Sequence, residues 1–196
     1  LPIPAHYSPI ETWITPDQSR CFVTCRNEIG QSLPGLVLVI DMRDGRLLKS
    51  ITAGIYPWHL LPDPTGTRLF VNNFQSSRIS IIDIAQERLV DSLIAENGPA
   101  MMTFVPGRSA LAVSCFYTDR VVIIDLGTKS IVQSINVDSN PTSLEFSRDG
   151  TRLYVLCGGE SALDVIDAKH AAVQERHKML FGAYAFRSIG GDNRKE

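Results

Sequence analysis

Arg68-Leu69-Phe70-Val71-Asn72-Asn73, and after a short polar link Arg78-Ile79-Ser80-Ile81-Ile82-Asp83, is the stretch that decides the fold. In the second run Ile79 and Ile81 point opposite to Ser80 and Ile82, so it is apolar on both faces near its end. That is the pattern of a strand packed between two layers. The pattern returns along the chain. Ile40-Asp41, Ile82-Asp83, Ile124-Asp125 and Ile166-Asp167 place an aspartate every 42 residues. Pro57, Pro99 and Pro141 keep that step, as do Val71, Val113 and Val155. Three independent landmarks in one register define a repeat. A period near 42 with short alternating strands is that of an all-β propeller, one four-stranded antiparallel blade per repeat.

Within the unit that opens at Pro57, residues 58–62, 68–72, 78–83 and 88–95 read as four strands. Turn residues separate them, from Asp63-Pro64-Thr65-Gly66 onward. Carried along the chain, the register gives one propeller segment, residues 1–196. Its four blades are residues 9–56, 57–98, 99–140 and 141–182, with 1–8 and 183–196 as parts of flanking blades. The first blade is six residues longer than the others, and the excess lies in residues 26–35 (RNEIGQSLPG). Residues 168–180 carry the one pattern compatible with a helix; the register predicts a turn and an outer strand there instead.

Thr151-Arg152-Leu153-Tyr154-Val155, Arg68-Leu69-Phe70-Val71-Asn72-Asn73 and the recurring Val-x-x-Ile-Asp resemble the YVTN family of β-propeller repeats. The likeness covers essentially the whole chain. It implies a larger propeller of about seven blades, roughly 100 residues more than this chain carries. It also implies a periplasmic or cell-surface location, although four apparently unpaired cysteines favour a reducing compartment. Leu1-Pro2-Ile3-Pro4, with neither an initiator methionine nor a leader, is the expectation for a processed or excised chain.

Composition narrows the function. Apolar residues make up 44% and charged residues 20%, and 19 Lys+Arg against 21 Asp+Glu leave a net charge of −2. No basic run marks a nucleic-acid partner, and no apolar stretch is long enough to span a bilayer. Glycine-rich phosphate loops, G-x-S-x-G and H-E-x-x-H are all absent. No catalytic residue, metal ligand set or cofactor is therefore assigned. Cys25, Cys115 and Cys157 follow the landmark valines of three different blades by two residues, at equivalent positions, and Cys21 lies four residues before Cys25 on the same strand. Neither arrangement suits a disulfide, so four free thiols filling the wedge between blades are expected. Asp41, Asp83, Asp125 and Asp167 recur too regularly for a carboxylate site and are expected to cap the turn after each third strand. His59 and His6 are read as solvated loop histidines near the channel mouth.

The loops that join outer to inner strands, and second to third strands, open on one face of a propeller. Tyr56, Trp58, His59, Phe74, Arg78, Phe116, Tyr117, Arg120 and Tyr184 fall there and form the candidate binding surface, aromatics and arginine being common anchors of recognition. The residues favour a non-catalytic scaffold or binding module over an enzyme, with a protein or small molecule as partner. A domain of a periplasmic oxidoreductase, amine dehydrogenase-like or haem d1-binding-like, is the alternative, and a lactonase-type hydrolase a more distant one. Apolar end faces, with Val37, Val39 and Ile40 at one end and Leu163, Val165 and Ile166 at the other, imply cover by further blades in the same polypeptide or in a partner chain. The competing arrangement is a self-closed four-blade ring in which residues 1–6 pair beside residues 173–177.

Overall fold

A computed structural model describes residues 3–30 and 32–179. They form sixteen strands; among the described residues there is no helix, and thus no helix long and apolar enough to cross a membrane. The first sheet is β1 (Tyr7–Ile14), β2 (Arg20–Asn27), β3 (Pro34–Asp41) and β4 (Leu47–Ile55). The second is β5 (Pro57–Pro62), β6 (Arg68–Asn73), β7 (Arg78–Asp83) and β8 (Arg88–Ile94). The third is β9 (Pro99–Phe104), β10 (Ala110–Cys115), β11 (Arg120–Asp125) and β12 (Ser130–Asn136). The fourth is β13 (Pro141–Phe146), β14 (Arg152–Cys157), β15 (Ala162–Asp167) and β16 (Ala172–Lys178). Each sheet is an antiparallel meander in chain order. The first strands of successive sheets lie against one another, β1 on β5, β5 on β9 and β9 on β13, so each blade begins at the axis and works outward. Residues 168–180, as far as they are described, hold a turn and the outer strand β16, as the register predicts.

Turn chemistry fixes the reversals. Asp41, Asp83, Asp125 and Asp167 each accept a backbone N–H from the turn after the third strand, at 2.9, 2.8, 2.7 and 2.8 Å for the shortest such bond. The residue that closes each of these turns is left-handed: Gly45, Glu87, Lys129 and Ala171, with φ of 72, 49, 56 and 51°. On the same side of the sheets, Asp17, Asp63 and Asp149 cap the turn between first and second strands through backbone N–H groups and neighbouring hydroxyls. Hydroxyl donors, Thr15 foremost for Asp17 and Ser147 for Asp149, hold both carboxyls at about 2, and the His170 side chain does the same for Asp167.

Packing between blades makes the core. Phe22, Val37, Val39, Ile51 and Ala53 of the first blade meet Leu60, Leu69, Val71 and Ile82 of the second. Phe70, Ile79, Ile81, Leu93 and Ala95 of the second meet Met102, Leu111, Val113 and Ile124 of the third. Ala112, Val121, Ile123, Ile135 and Val137 of the third meet Leu144, Leu153, Val155 and Ile166 of the fourth. Val37, Val39 and Ile166 are therefore buried between blades, not on end faces as expected. The end faces belong to the opposite sides of their strands, with Ile40 at one end and Leu163 and Val165 at the other. Residues 3–6 form a turn, Tyr7 N–H donating to the Pro4 carbonyl at 3.2 Å, and add no strand beside β16.

The six extra residues of the first blade lengthen one hairpin. β2 and β3 are each two residues longer than β6 and β7, and their link is two residues longer than residues 74–77. Gly35 sits where this taller hairpin meets the second blade. A Cβ there would stand 2.3 Å from Pro57 Cδ and 2.5 Å from the Cys25 carbonyl oxygen.

Cys25, Cys115 and Cys157 are fully buried and Cys21 half-buried, none of them in a disulfide. Burial pushes the Cys25 thiol up to about 11 and the Cys115 and Cys157 thiols to about 12. Thiol titration in denaturant should find all four, whereas in the native protein only Cys21 should react appreciably. Only two in denaturant would reveal a disulfide and contradict the strand placement. Gly35→Ala should destabilise by about 3 kcal/mol through overpacking. Gly66→Ala, where φ is 70° but no atom lies within 4 Å, should cost only about 1 kcal/mol. Equal shifts in the denaturation midpoint would contradict the close approach at Gly35.

Candidate functional site

The two sets of loops named in the sequence are hydrogen-bonded to each other in every blade. The first residue or two of each second-to-third-strand loop donate N–H bonds to the preceding outer-to-inner connection. Glu28 pairs with the His6 carbonyl at 2.8 Å, Phe74 with Tyr56 at 2.8 Å, Phe116 with Gly98 at 2.8 Å and Gly158 with Asn140 at 2.8 Å. The accepting residue is left-handed each time, with φ of 69, 58, 75 and 55°. Glycine and asparagine suit that conformation; a tyrosine in it is strained by about 1–2 kcal/mol. At Tyr56 the strain coincides with the densest ring contacts on the surface.

Tyr56, Trp58, Phe74, Phe116 and Tyr117 form one continuous aromatic patch. Tyr56 stacks on Trp58 at a centroid distance of 5.7 Å and an interplanar angle of 17°. Phe74 is the hub, with centroids 6.0 Å from Tyr56, 6.1 Å from Trp58, 5.5 Å from Phe116 and 5.3 Å from Tyr117. Phe116 and Tyr117 meet edge to face at 5.2 Å. Gly98 makes room for the last ring, since a Cβ there would lie 2.6 Å from Tyr117 Cδ2. Trp58 and Tyr117 remain exposed, at 40% and 53%. The patch thus spans the second and third blades and presents apolar area to solvent with rotamers already fixed by ring contacts.

Arg26 completes the patch from the first blade. Its guanidinium lies 5.3 Å above the Tyr56 ring, Nη1 donates to Tyr56 Oη at 2.5 Å, and Nε pairs with Glu28 at 2.6 Å. Those contacts, the Glu28 carboxylate first, raise its pKa. Sequence reading placed Arg26 in the hairpin insertion but not in the site. The usable signal was that the insertion sits beside the loop carrying Tyr56.

The other candidates are not part of this patch. Arg78 donates to Ser92 Oγ at 3.3 Å and Arg120 pairs with Glu96 at 3.3 Å, both at blade edges. Tyr184 lies outside the described residues. His59 is not a solvated loop residue: its side chain is 14% exposed and Nδ1 lies 3.0 Å from Glu11 Oε2, which also accepts the Leu60 N–H at 2.6 Å. His6 is exposed in the turn before β1. Among the described residues, no three His, Cys, Asp or Glu side chains are grouped as a metal site. Open clefts of about 430, 420 and 370 Å³ lie between successive blades on the opposite face, among the aspartate-capped turns.

No family model matches the chain, and no curated protein matches it. Solved structures do. It is similar to hydrazine synthase of Kuenenia stuttgartiensis at 24% identity and a TM-score of 0.73, over 87% of this chain and 49% of that one. It is similar to the dihydro-heme d1 dehydrogenase NirN at 18% and 0.67, over 87% and 38%. A chain of a mitotic checkpoint complex matches at 12% and 0.75, over 93% and 55%. The chain spans about half the length of the first of these and less of the second. At such identities the likeness establishes the fold alone: these four sheets are blades of a β-propeller.

Hub and rim of the aromatic patch should separate by mutation. Phe74→Ala, which removes four ring contacts, should destabilise by about 2 kcal/mol. Trp58→Ala and Tyr117→Ala, at exposed positions, should each cost less than about 1 kcal/mol. Denaturation midpoints measure both, and a neutral Phe74→Ala would mean the rings are not packed as a unit.

Proposed function

We propose that this chain is a YVTN-type propeller repeat protein acting as a non-catalytic binding module, and that the aromatic patch docks a partner protein. The supporting observation is the patch itself. Five ring-packed aromatics and an arginine stand on the loop face, with a tryptophan and a tyrosine exposed around the Phe74 hub, the residue types that dominate binding energy at protein interfaces. The pre-ordered rings lose little rotamer freedom on binding. A periplasmic or cell-surface setting belongs to this reading through the family resemblance.

A second reading, a domain of a periplasmic oxidoreductase, rests on His59. A carboxylate fixing one ring nitrogen of a histidine leaves the other free to act as a ligand. A visible absorption band in protein purified from its natural source would favour this reading.

Affinity capture from extracts of the source cells compares the two directly. The wild-type chain should retain a defined protein that Trp58→Ala and Tyr117→Ala lose while remaining folded by circular dichroism. Identical recovery by wild type and both variants would overturn the role of the patch.

A further inference from the structure

On the aspartate-capped face, one cleft differs in charge from its neighbours. Each cleft there lies between the turns of two successive blades, and the repeat makes their residues comparable position by position. Between the first and second blades, Arg20 at the start of β2 is matched by Glu87 from the turn after β7, at 3.0 Å. The same two positions one blade further on are Arg68 and Lys129. The charge that neutralises the first cleft is therefore reversed in the second. Lys129 pairs with Asp91 of β8, and Arg68 lacks the carboxylate that its counterpart has.

The third blade adds another cation to the same cleft. Its turn between β9 and β10, Val105-Pro106-Gly107-Arg108-Ser109, contains no carboxylate, whereas Asp17, Asp63 and Asp149 cap the corresponding turns. Arg108 stands where those turns have Gln18, Gly66 and Gly150. Arg68 and Arg108 both line the cleft of about 420 Å³, together with Ser109 and the apolar side chains of Phe104 and Leu126. Among the described residues, neither guanidinium makes a hydrogen bond or an ion pair. The neighbouring carboxylates are committed elsewhere. Asp63 accepts the Thr67 and Arg68 N–H groups at 2.8 and 3.0 Å, and Asp125 accepts those of Thr128 and Gly127 at 2.7 and 3.0 Å. Asp91 is held low by Lys129 first, with Arg68 adding only its field; Asp125 is held low by the Thr128 N–H first, with Arg108 adding its field.

We propose that this cleft binds a small organic phosphate, its phosphoryl group held by Arg68 and Arg108 and its apolar part against Phe104 and Leu126. Two guanidinium groups balance a dianion, and their planar donor forks suit phosphate oxygens. The Ser109 hydroxyl offers a neutral donor beside them. In the first cleft an anion would have to displace Glu87 from Arg20, so the equivalent space there is not such a site. The cleft lies on the face opposite the aromatic patch, and neither reading depends on the other.

The test is isothermal titration calorimetry of the purified protein with phenyl phosphate, inorganic phosphate and benzoate. Phenyl phosphate should bind at one site, and inorganic phosphate about fivefold more weakly for want of the apolar contact. Arg68→Gln and Arg108→Gln should each weaken phenyl phosphate about tenfold, and Lys129→Glu, which restores the charge found at Glu87, should do so at least as strongly. Arg20→Gln should leave binding unchanged. Arg68, Arg108 and Lys129 are exposed, so their variants should keep the circular dichroism spectrum of the wild type. Absence of binding by the wild type, or equal binding by the wild type and both arginine variants, would overturn the proposal. Loss of binding with Arg20→Gln alone would overturn it too, by moving the anion to the first cleft. Benzoate bound as tightly as phenyl phosphate would overturn the assignment to phosphate in favour of a carboxylate.

Discussion

No blade of this chain can bury its own apolar surface, and everything else follows from that constraint. In β7, Ile79 and Ile81 go to the third blade and Ile82 to the first, all three essentially inaccessible to water. A side chain of this kind contributes about 1.5–3 kcal/mol when it leaves water, and within a single sheet it has nowhere to go. Stability thus belongs to the interfaces between blades, as in other stacked-repeat proteins. The outer strands show the converse: β8 and β12 are mostly exposed, and β16 almost wholly so.

The fold was legible because the interface positions and the turns obey one period. Aspartate after the third strand recurs because each of those turns leaves backbone N–H groups that a carboxylate can satisfy. Proline and valine recur because inner strands meet at the axis and second strands sit between neighbours. The choice of end-face residues failed for Val37, Val39 and Ile166, since alternation along a strand does not say which side faces which blade. That assignment needs the sheet-to-sheet direction, which three-dimensional packing supplies.

Of the site, five aromatics were legible because they stand in the two loop classes that share a face. Arg26 was not, because its role depends on a hairpin standing taller than its neighbours and leaning over Tyr56. His59 was misjudged for a similar reason. Its partner Glu11 is its own equivalent one blade earlier, and the two meet only because consecutive inner strands run side by side. The polar residue of the second strand is a further hidden device. Thr24, Asn72 and Ser114 each bond the backbone of an inner strand near its bulge, with Glu11, His59 and Met101 N–H groups as donors at 3.1, 2.7 and 3.0 Å. In sequence these positions look like lapses in an apolar strand.

Native-state hydrogen exchange, resolved to individual strands by mass spectrometry, tests the dependence on inter-blade packing most directly. The account predicts the slowest exchange in β6, β7, β10 and β11, whose side chains are buried on both faces, with β8 and β12 exchanging markedly faster. Protection as strong in the outer strands as in the middle ones would contradict it, because the blades would then be held by their own hydrogen bonds and not by their neighbours.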